Sequence, residues 1–387
     1  MKSFFRVLFI LLALGSITLV LTGNRHVFTA IRHTYLKGQT GPSPDEYMIF
    51  SNRNIQAGKE KAWPLSDDYN KKTLPDSSLN HIENLSPLAF AVFRNDSLVF
   101  EKYWEGRESG DLSNSFSMAK SIVSVLTGIA IKEGKIKSLD QSIGDFLPEY
   151  AEGNRKKIKV RHLLSMCSGL DFDEHYGNPF AYPARAYYGK DLKALTMKYQ
   201  PYKDPGVSFE YLSGNTELMG FVLEKAVGKT ISEYASEKLW KPLGASKDAL
   251  WSLDHENGVE KSYCCFNSNA RDFARIGALY LHHGKVDSTE IVPEWFVAES
   301  IKPAVLMDSE TGQPLSKYGL SWWLTEHRGM KVFYARGILG QYILCVPEKN
   351  LIMVRLGRKR TQEKRNDHPV DIYQYLDAGM SVAGIKS

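Results

Sequence analysis

Ser117 and Lys120 stand three residues apart in Ser113-Asn114-Ser115-Phe116-Ser117-Met118-Ala119-Lys120-Ser121. If a helix begins there, the hydroxyl and the amine share one face. A serine hydroxyl is a poor nucleophile until a base takes its proton. A lysine amine does this when burial and neighbouring cations lower its proton affinity. The start of a helix adds positive potential and free N–H groups that stabilise a developing oxyanion. The chemistry such a pair supports is acyl transfer through a serine ester.

Ser-x-x-Lys alone is common by chance, but two further segments accompany it. In Pro205–Asn215, Tyr211-x-Ser213 would place a phenol and a hydroxyl beside the nucleophile. In Tyr334–Gln341, Gly337 and Gly340 leave room for a substrate backbone to approach a strand edge. Each piece has a plainer explanation: Tyr211 as a core aromatic, Ser213 as a helix cap, the glycines as turns. All three in this order point to an enzyme.

The chain resembles the class C β-lactamase-related serine hydrolases, among them penicillin-binding DD-peptidases, some esterases and hydrolases of 6-aminohexanoate oligomers. The likeness runs from about Leu88 to Leu356. It is carried by SFSMAKSIVSVLTGIAIKEGKIKSLDQSI, VRHLLSMCSGLDFDE, PGVSFEYLSGNTELMGFVLEKAVGKTISEY, NARDFARIGALYLHHG and YGLSWWL. The resemblance implies that Ser117 is acylated, that Lys120 is its proton partner and that Tyr211 is the general acid/base. It also implies an oxyanion hole from the N–H groups of Ser117 and Ile338, with Ser213, Arg336 and Gly337 facing the substrate. Two departures bear on the substrate. Tyr211-Leu212-Ser213 replaces the Tyr-x-Asn of true β-lactamases, and Ala335-Arg336-Gly337 replaces a Lys or His before Thr-Gly. Arg336 is then either a two-pronged partner for a substrate carboxylate or a structural surface arginine. The resemblance therefore favours small amide or ester substrates. Peptidoglycan peptides (a DD-peptidase or penicillin-binding protein) and a silent binding protein on the same fold are the alternatives.

Several elements must position these residues. Leu88–Phe93 and Ser97–Trp104 read as strands around the turn Arg94-Asn95-Asp96. From Phe116 to Glu133, Ile122, Val125, Leu126, Ile129 and Ala130 recur at helical spacing. Helices follow at Leu192–Tyr199, Glu217–Val227, Ile231–Leu239 and Ala270–His282. Strands return at Tyr318–Leu324, Val332–Ala335, Tyr342–Val346 and Leu351–Leu356. An α+β fold is expected, one antiparallel sheet built from both chain ends and flanked by helices, with a mainly helical lobe. The resemblance makes it β-lactamase/transpeptidase-like. The catalytic domain is expected over 86–378, with sheet regions 86–139 and 290–378 and helical lobe 140–289. Residues 24–85, broken by Gly41-Pro42, Ser43-Pro44, Pro64 and Pro75, read as an irregular lead-in.

The chain has 387 residues, 43% hydrophobic and 24% charged, with net charge +5. That balance suits a globular enzyme and is not that of a nucleic-acid binder. The dense basic run Arg355, Arg358, Lys359, Arg360, Lys364 and Arg365 reads as a solvated loop. Lys2 and Arg6 precede an apolar run, Val7–Leu21, so residues 1–23 read as a membrane anchor or signal with 4–22 in the bilayer. No Ala-x-Ala site follows, which favours an uncleaved anchor over a cleaved secretory signal. The positive-inside rule places the rest outside the cytoplasm, in the periplasm of a Gram-negative cell. No cysteine or histidine spacing suggests a metal, and no cofactor is expected. The adjacent Cys264 and Cys265 are not expected to pair with each other; an oxidising compartment would allow a bridge, but Cys167, Cys264, Cys265 and Cys345 read more simply as buried free thiols. Trp322-Trp323 and Tyr187-Tyr188 are either core aromatics or walls of the cleft.

Overall fold

The computed structural model describes residues 1–385. In chain order, the elements that matter are helices α1 (Lys2–Leu21) and α2 (His26–His33), strand β1 (Asn52–Ile55), helix α3 (Asp76–Asn84), and strands β2 (Pro87–Arg94), β3 (Ser97–Tyr103) and β4 (Ser113–Asn114). Then come α4 (Ala119–Lys132), α5 (Tyr182–Tyr188), α6 (Ser213–Val227), β5 (Ala249–Ser252), β6 (Phe266–Ser268) and α7 (Ala270–Leu281). Strands β7 (Trp323–His327), β8 (Met330–Gly337), β9 (Gln341–Val346) and β10 (Leu351–Gly357) precede α8 (Asp371–Val382).

The main sheet runs β7-β8-β9-β10-β2-β3, all antiparallel, so the C-terminal strands join the N-terminal hairpin between β10 and β2. The hairpin closes through Asn95 and Asp96, both at positive φ (49° and 61°), as a tight two-residue turn requires. Residues 88–93 of β2 are all apolar because both faces of the sheet are covered. Ala91, Phe93, Ile343, Cys345, Ile352 and Val354 face one core with α4 and α7. The alternate residues Phe90, Val92, Leu344 and Met353 face a second core with α8. The period of two along each strand thus builds two layers of packing on one sheet.

Several details depart from the sequence expectations. Residues 24–85 are not irregular throughout: α2 and α3 form there, and β1 pairs with β5. The lobe between α4 and α7 is helical but carries a small sheet, β1-β5-β6-β4. The strand expected over Tyr318–Leu324 starts only at Trp323. The preceding carbonyls are taken by α4 instead, with Ser121 donating to Ser321 O (2.6 Å) and Ser124 to Leu320 O (2.9 Å). Arg355 is not in a solvated loop. It is fully buried and donates to the carbonyls of Leu339, Gly340, Leu85 and Lys359 and to the Tyr375 hydroxyl. Its β-strand neighbours pulled it inside, and carbonyl acceptors satisfy its fork of donors. Cys264 and Cys265 are not free thiols but form a disulfide with each other, while Cys167 and Cys345 are free and buried. Cys265 sits at φ 67° in a turn that brings the two side chains together.

Among the described residues, α1 is the one helix long and apolar enough to cross a membrane. It has 20 residues and a mean hydropathy of 2.4, and none of it is buried.

Candidate active site

The backbone just before Ser117 is held in an uncommon conformation. Strand β4 pairs with β6 (Ser113 opposite Ser268), and the Asn114 side chain accepts from the Phe116 N–H at 2.8 Å. Phe116 is thereby held at φ 43°, a region a bulky side chain rarely adopts and one that recurs at functional sites. The chain then turns through Phe116–Met118 into α4, leaving Ser117 half-exposed at the helix start.

Lys120, one turn on, is 1% exposed. Its Nζ lies 2.9 Å from Ser117 Oγ, 3.2 Å from Ser213 Oγ and 2.9 Å from Tyr263 O. These three contacts fill the three positions of an ammonium, or two donors and one lone pair of a neutral amine. Ser213 opens α6, and both its N–H (2.8 Å) and its hydroxyl (2.5 Å) donate to Glu174. Burial raises the Glu174 pKa, opposed by the Lys120 charge and the Ser213 hydrogen bonds. The chain Ser117–Lys120–Ser213–Glu174 is continuous.

On the far side, Glu217 of α6 is fully buried and accepts from the Ser262 N–H (2.8 Å) and hydroxyl (2.7 Å). Desolvation, opposed by these bonds, pushes its pKa up to about 8. It fixes the segment whose Tyr263 carbonyl takes Lys120. Sequence reading missed both carboxylates. Glu174 closes the acidic stretch Asp171-Phe172-Asp173-Glu174 and Glu217 sits two residues beyond Asn215, so their places beside matched motifs were the available signal.

The Tyr211 ring, 5.2 Å from Lys120 Nζ, leans on Trp323 (centroids 5.3 Å apart). The Arg336 guanidinium also lies on Trp323, 3.3 Å from the ring centroid. It makes no ion pair among the described residues. Tyr211, Trp323, Arg336, Glu174 and Lys317 line one pocket of about 560 Å³. Of the tandem tryptophans, Trp322 is core and Trp323 is a wall. Gly337 ends β8 against the turn that carries Ser117: a Cβ there would lie 2.3 Å from the Ser115 carbonyl. The next residue, Ile338, lines a second cavity of about 320 Å³ together with Ser117. Tyr187 and Tyr188, on helix α5, line that cavity too, as does Cys264. The structure therefore joins Ser117, Lys120 and Ser213 by hydrogen bonds and sets the Tyr211 ring against Lys120. It puts Ile338 beside Ser117 and Arg336 in the adjoining pocket. No group of histidine, cysteine or carboxylate side chains able to hold a metal occurs among the described residues.

The profile of the Beta-lactamase family matches residues 81–375. A 6-aminohexanoate-dimer hydrolase of Paenarthrobacter ureafaciens is 26% identical over 335 residues, covering 79% of this chain and 82% of that protein. Among solved structures, a Bacillus anthracis protein assigned as a 6-aminohexanoate-dimer hydrolase superposes with TM-score 0.76 at 20% identity, covering 89% of this chain and 94% of that one. A family VIII carboxylesterase gives TM-score 0.63 at 17% identity over 82% and 98% of the respective chains.

Proposed function

The chain belongs to the Beta-lactamase family, and from that premise we propose that it is a serine hydrolase cleaving amide or ester bonds of small substrates. The observation that carries this reading is the 2.9 Å contact between Lys120 Nζ and Ser117 Oγ, with Lys120 buried and held from two other sides. In the proposed sequence the Ser117 oxygen attacks the substrate carbonyl carbon while Lys120, as the free amine, takes the hydroxyl proton. The carbonyl oxygen becomes an oxyanion that accepts from the N–H groups of Ser117 and Ile338. As it collapses, the bond to the leaving group breaks, and Tyr211 supplies the leaving atom's proton. The proton held by Lys120 then passes to Tyr211, restoring both groups. Water attacks the acyl carbon as Lys120 takes one of its protons, the acid product leaves, and that proton returns to Ser117. Ser213 and Gly337 position the substrate, and Arg336 meets its polar end. Hydrolase names among the family relatives support the amide-or-ester class.

We further propose that α1 anchors the protein through residues 4–22, with 86–378 as an extracytoplasmic catalytic domain. That location favours a second reading, a DD-peptidase of peptidoglycan. A curated relative described as a D-alanyl-D-alanine carboxypeptidase in Escherichia coli K12 is 24% identical over 40% of each chain. Labelling the full-length protein with a fluorophosphonate and then with a fluorescent penicillin separates the cases. The first reading gives labelling by the phosphonate alone, lost in Ser117→Ala. Labelling by both reagents would establish the second. Labelling by neither would make this a silent binding protein and end the hydrolase reading.

A further inference from the structure

We propose that the cavity above Ser117 takes the hydrocarbon group of an amphiphilic ester or amide, and that α2 is the wall that selects it. This names the substrate class of the site and rests on Ser117 being the nucleophile.

Three observations converge. The first is the lining. Ser117 lies at the edge of a space walled by Phe116, Ile338, Pro183, Ala184, Tyr187 and Tyr188. The tyrosine hydroxyls are turned to partners behind the wall, Tyr187 to Asn114 and Tyr188 to Glu46. No charged side chain lines this cavity. Such a surface favours apolar atoms leaving water, and its further polar groups are the uncharged hydroxyls of residues such as Thr40 and Tyr263.

The second is α2 itself. Val27, Ala30, Ile31 and Thr34 follow the i, i+3, i+4, i+7 spacing of one helix face, and all four line the cavity. The helix is pinned to the domain by His26 Nε2 to Pro179 O (2.8 Å) and by packing on α5. This wall belongs to the segment that precedes the matched family region.

The third is position. Between Leu21, the end of α1, and His26, the start of α2, the chain can reach at most about 18 Å. With α1 in a bilayer, the α2 wall lies close to the lipid surface. Phe28, Ile31, Tyr35, Leu36, Tyr176 and Phe180 remain exposed around it, at 39–76%. An apolar and aromatic rim of this kind suits the membrane–water interface. An amphiphile entering from the lipid would bring its hydrocarbon group into the cavity and leave its polar part toward Arg336 and Lys317. Taking about 30 Å³ per carbon, the size of a water, 320 Å³ holds about ten carbons.

The test is a series of p-nitrophenyl esters from acetate to dodecanoate, each below its micelle concentration, on full-length protein in nanodiscs. The expected kcat/KM rises up to about fourfold per methylene, the factor for about 0.8 kcal/mol per buried CH₂, and levels off near decanoate. Ala30→Phe, which fills the cavity, and Ile31→Asp, which charges it, should each lower the decanoate-to-acetate ratio tenfold or more. The ratio is insensitive to a loss of folded protein. A flat chain-length profile, or a ratio unchanged in both variants, would overturn the proposal while leaving the hydrolase reading intact. Binding of dansyl-undecanoic acid to Ser117→Ala supplies the opposite arm. If no ester is cleaved but the dansyl lipid binds and Ala30→Phe abolishes binding, the cavity assignment stands and the hydrolase reading falls.

Discussion

Ser213 donates both its N–H and its hydroxyl to the carboxylate of Glu174, and the same hydroxyl accepts from Lys120. Glu174 thus fixes the direction of the Ser213 hydroxyl and, through it, one of the three contacts of the amine. It is a positioning residue.

Glu174→Gln should therefore lower kcat more than it raises KM, by about 10- to 100-fold, since the two Ser213 donors meet different carboxylate oxygens and one of these becomes an NH₂. The pH profile distinguishes this from loss of structure. The Glu174 pKa is raised, so the carboxyl protonates at higher pH than a free glutamate as the solution is acidified. The acid limb of kcat/KM should move or vanish in the glutamine variant. A limb identical to wild type would remove Glu174 from the proton network.

Arg336 stacks on Trp323 and carries no ion pair among the described residues. A guanidinium placed so is free to meet a substrate carboxylate. Arg336→Ala should raise KM for substrates bearing a carboxylate near the scissile bond about tenfold or more, with little change in kcat. Neutral esters should respond far less. Equal effects on both classes would make Arg336 structural.

The sheet was legible because its strands are short, continuous apolar runs and its hairpin carries Asn95-Asp96. The helix that follows Ser117 was legible because Ile122, Val125, Leu126 and Ile129 share a face. What escaped reading depended on contacts between distant segments. Arg355 looks solvent-facing in a run of cations, yet its guanidinium finds carbonyls from residues 85, 339, 340 and 359. Glu174 is one acidic residue among three until the fold brings it to the start of α6. Residues 26–33 have no local mark of function, because their apolar face matters only against Ile338 and α5. The pairing of Cys264 with Cys265 follows from a turn at φ 67° that no spacing rule announces.

The anchor is tested by fractionation. Full-length protein should stay with membranes through carbonate extraction, whereas a chain starting at Arg25, which keeps α2, should be released. Uncleaved full-length protein in the carbonate supernatant would count against a membrane-spanning α1.

His368 provides a stability prediction. It is 3% exposed and shares a 2.7 Å hydrogen bond with the Tyr334 hydroxyl. Burial first, and then the charge of Arg336, lower its pKa to about 3 from 6.5. The folded state therefore keeps the ring neutral where the unfolded chain binds a proton. Stability from this group is fully present above pH 6.5 and is lost as pH falls toward 3, at about 1.4 kcal/mol per unit. His368→Gln should flatten the decline of Tm between pH 6.5 and 4. An unchanged slope would mean that other groups govern it.

The last prediction concerns how Ser117 is activated. No histidine lies among the groups that contact it, so its proton must go to Lys120, to Tyr211 or through one to the other. Lys120 Nζ hydrogen-bonds Ser117 Oγ and lies 5.2 Å from the Tyr211 ring centroid, and the proposed mechanism uses the two side chains as one proton relay. Lys120→Ala and Tyr211→Phe should each lower kcat by about 10²–10⁴-fold, the scale of general acid–base catalysis. In the double variant the losses should not add, because either substitution alone already breaks the relay. The steps separate when the acyl-enzyme formed from a slow ester is followed by mass. Loss of Lys120 should prevent the acyl-serine from forming. Loss of Tyr211 should slow an amide more than a p-nitrophenyl ester, because nitrophenolate leaves without a proton and an amine does not. A Tyr211→Phe enzyme that turns over amides at the wild-type rate would leave Lys120 to carry both transfers and take Tyr211 out of the mechanism.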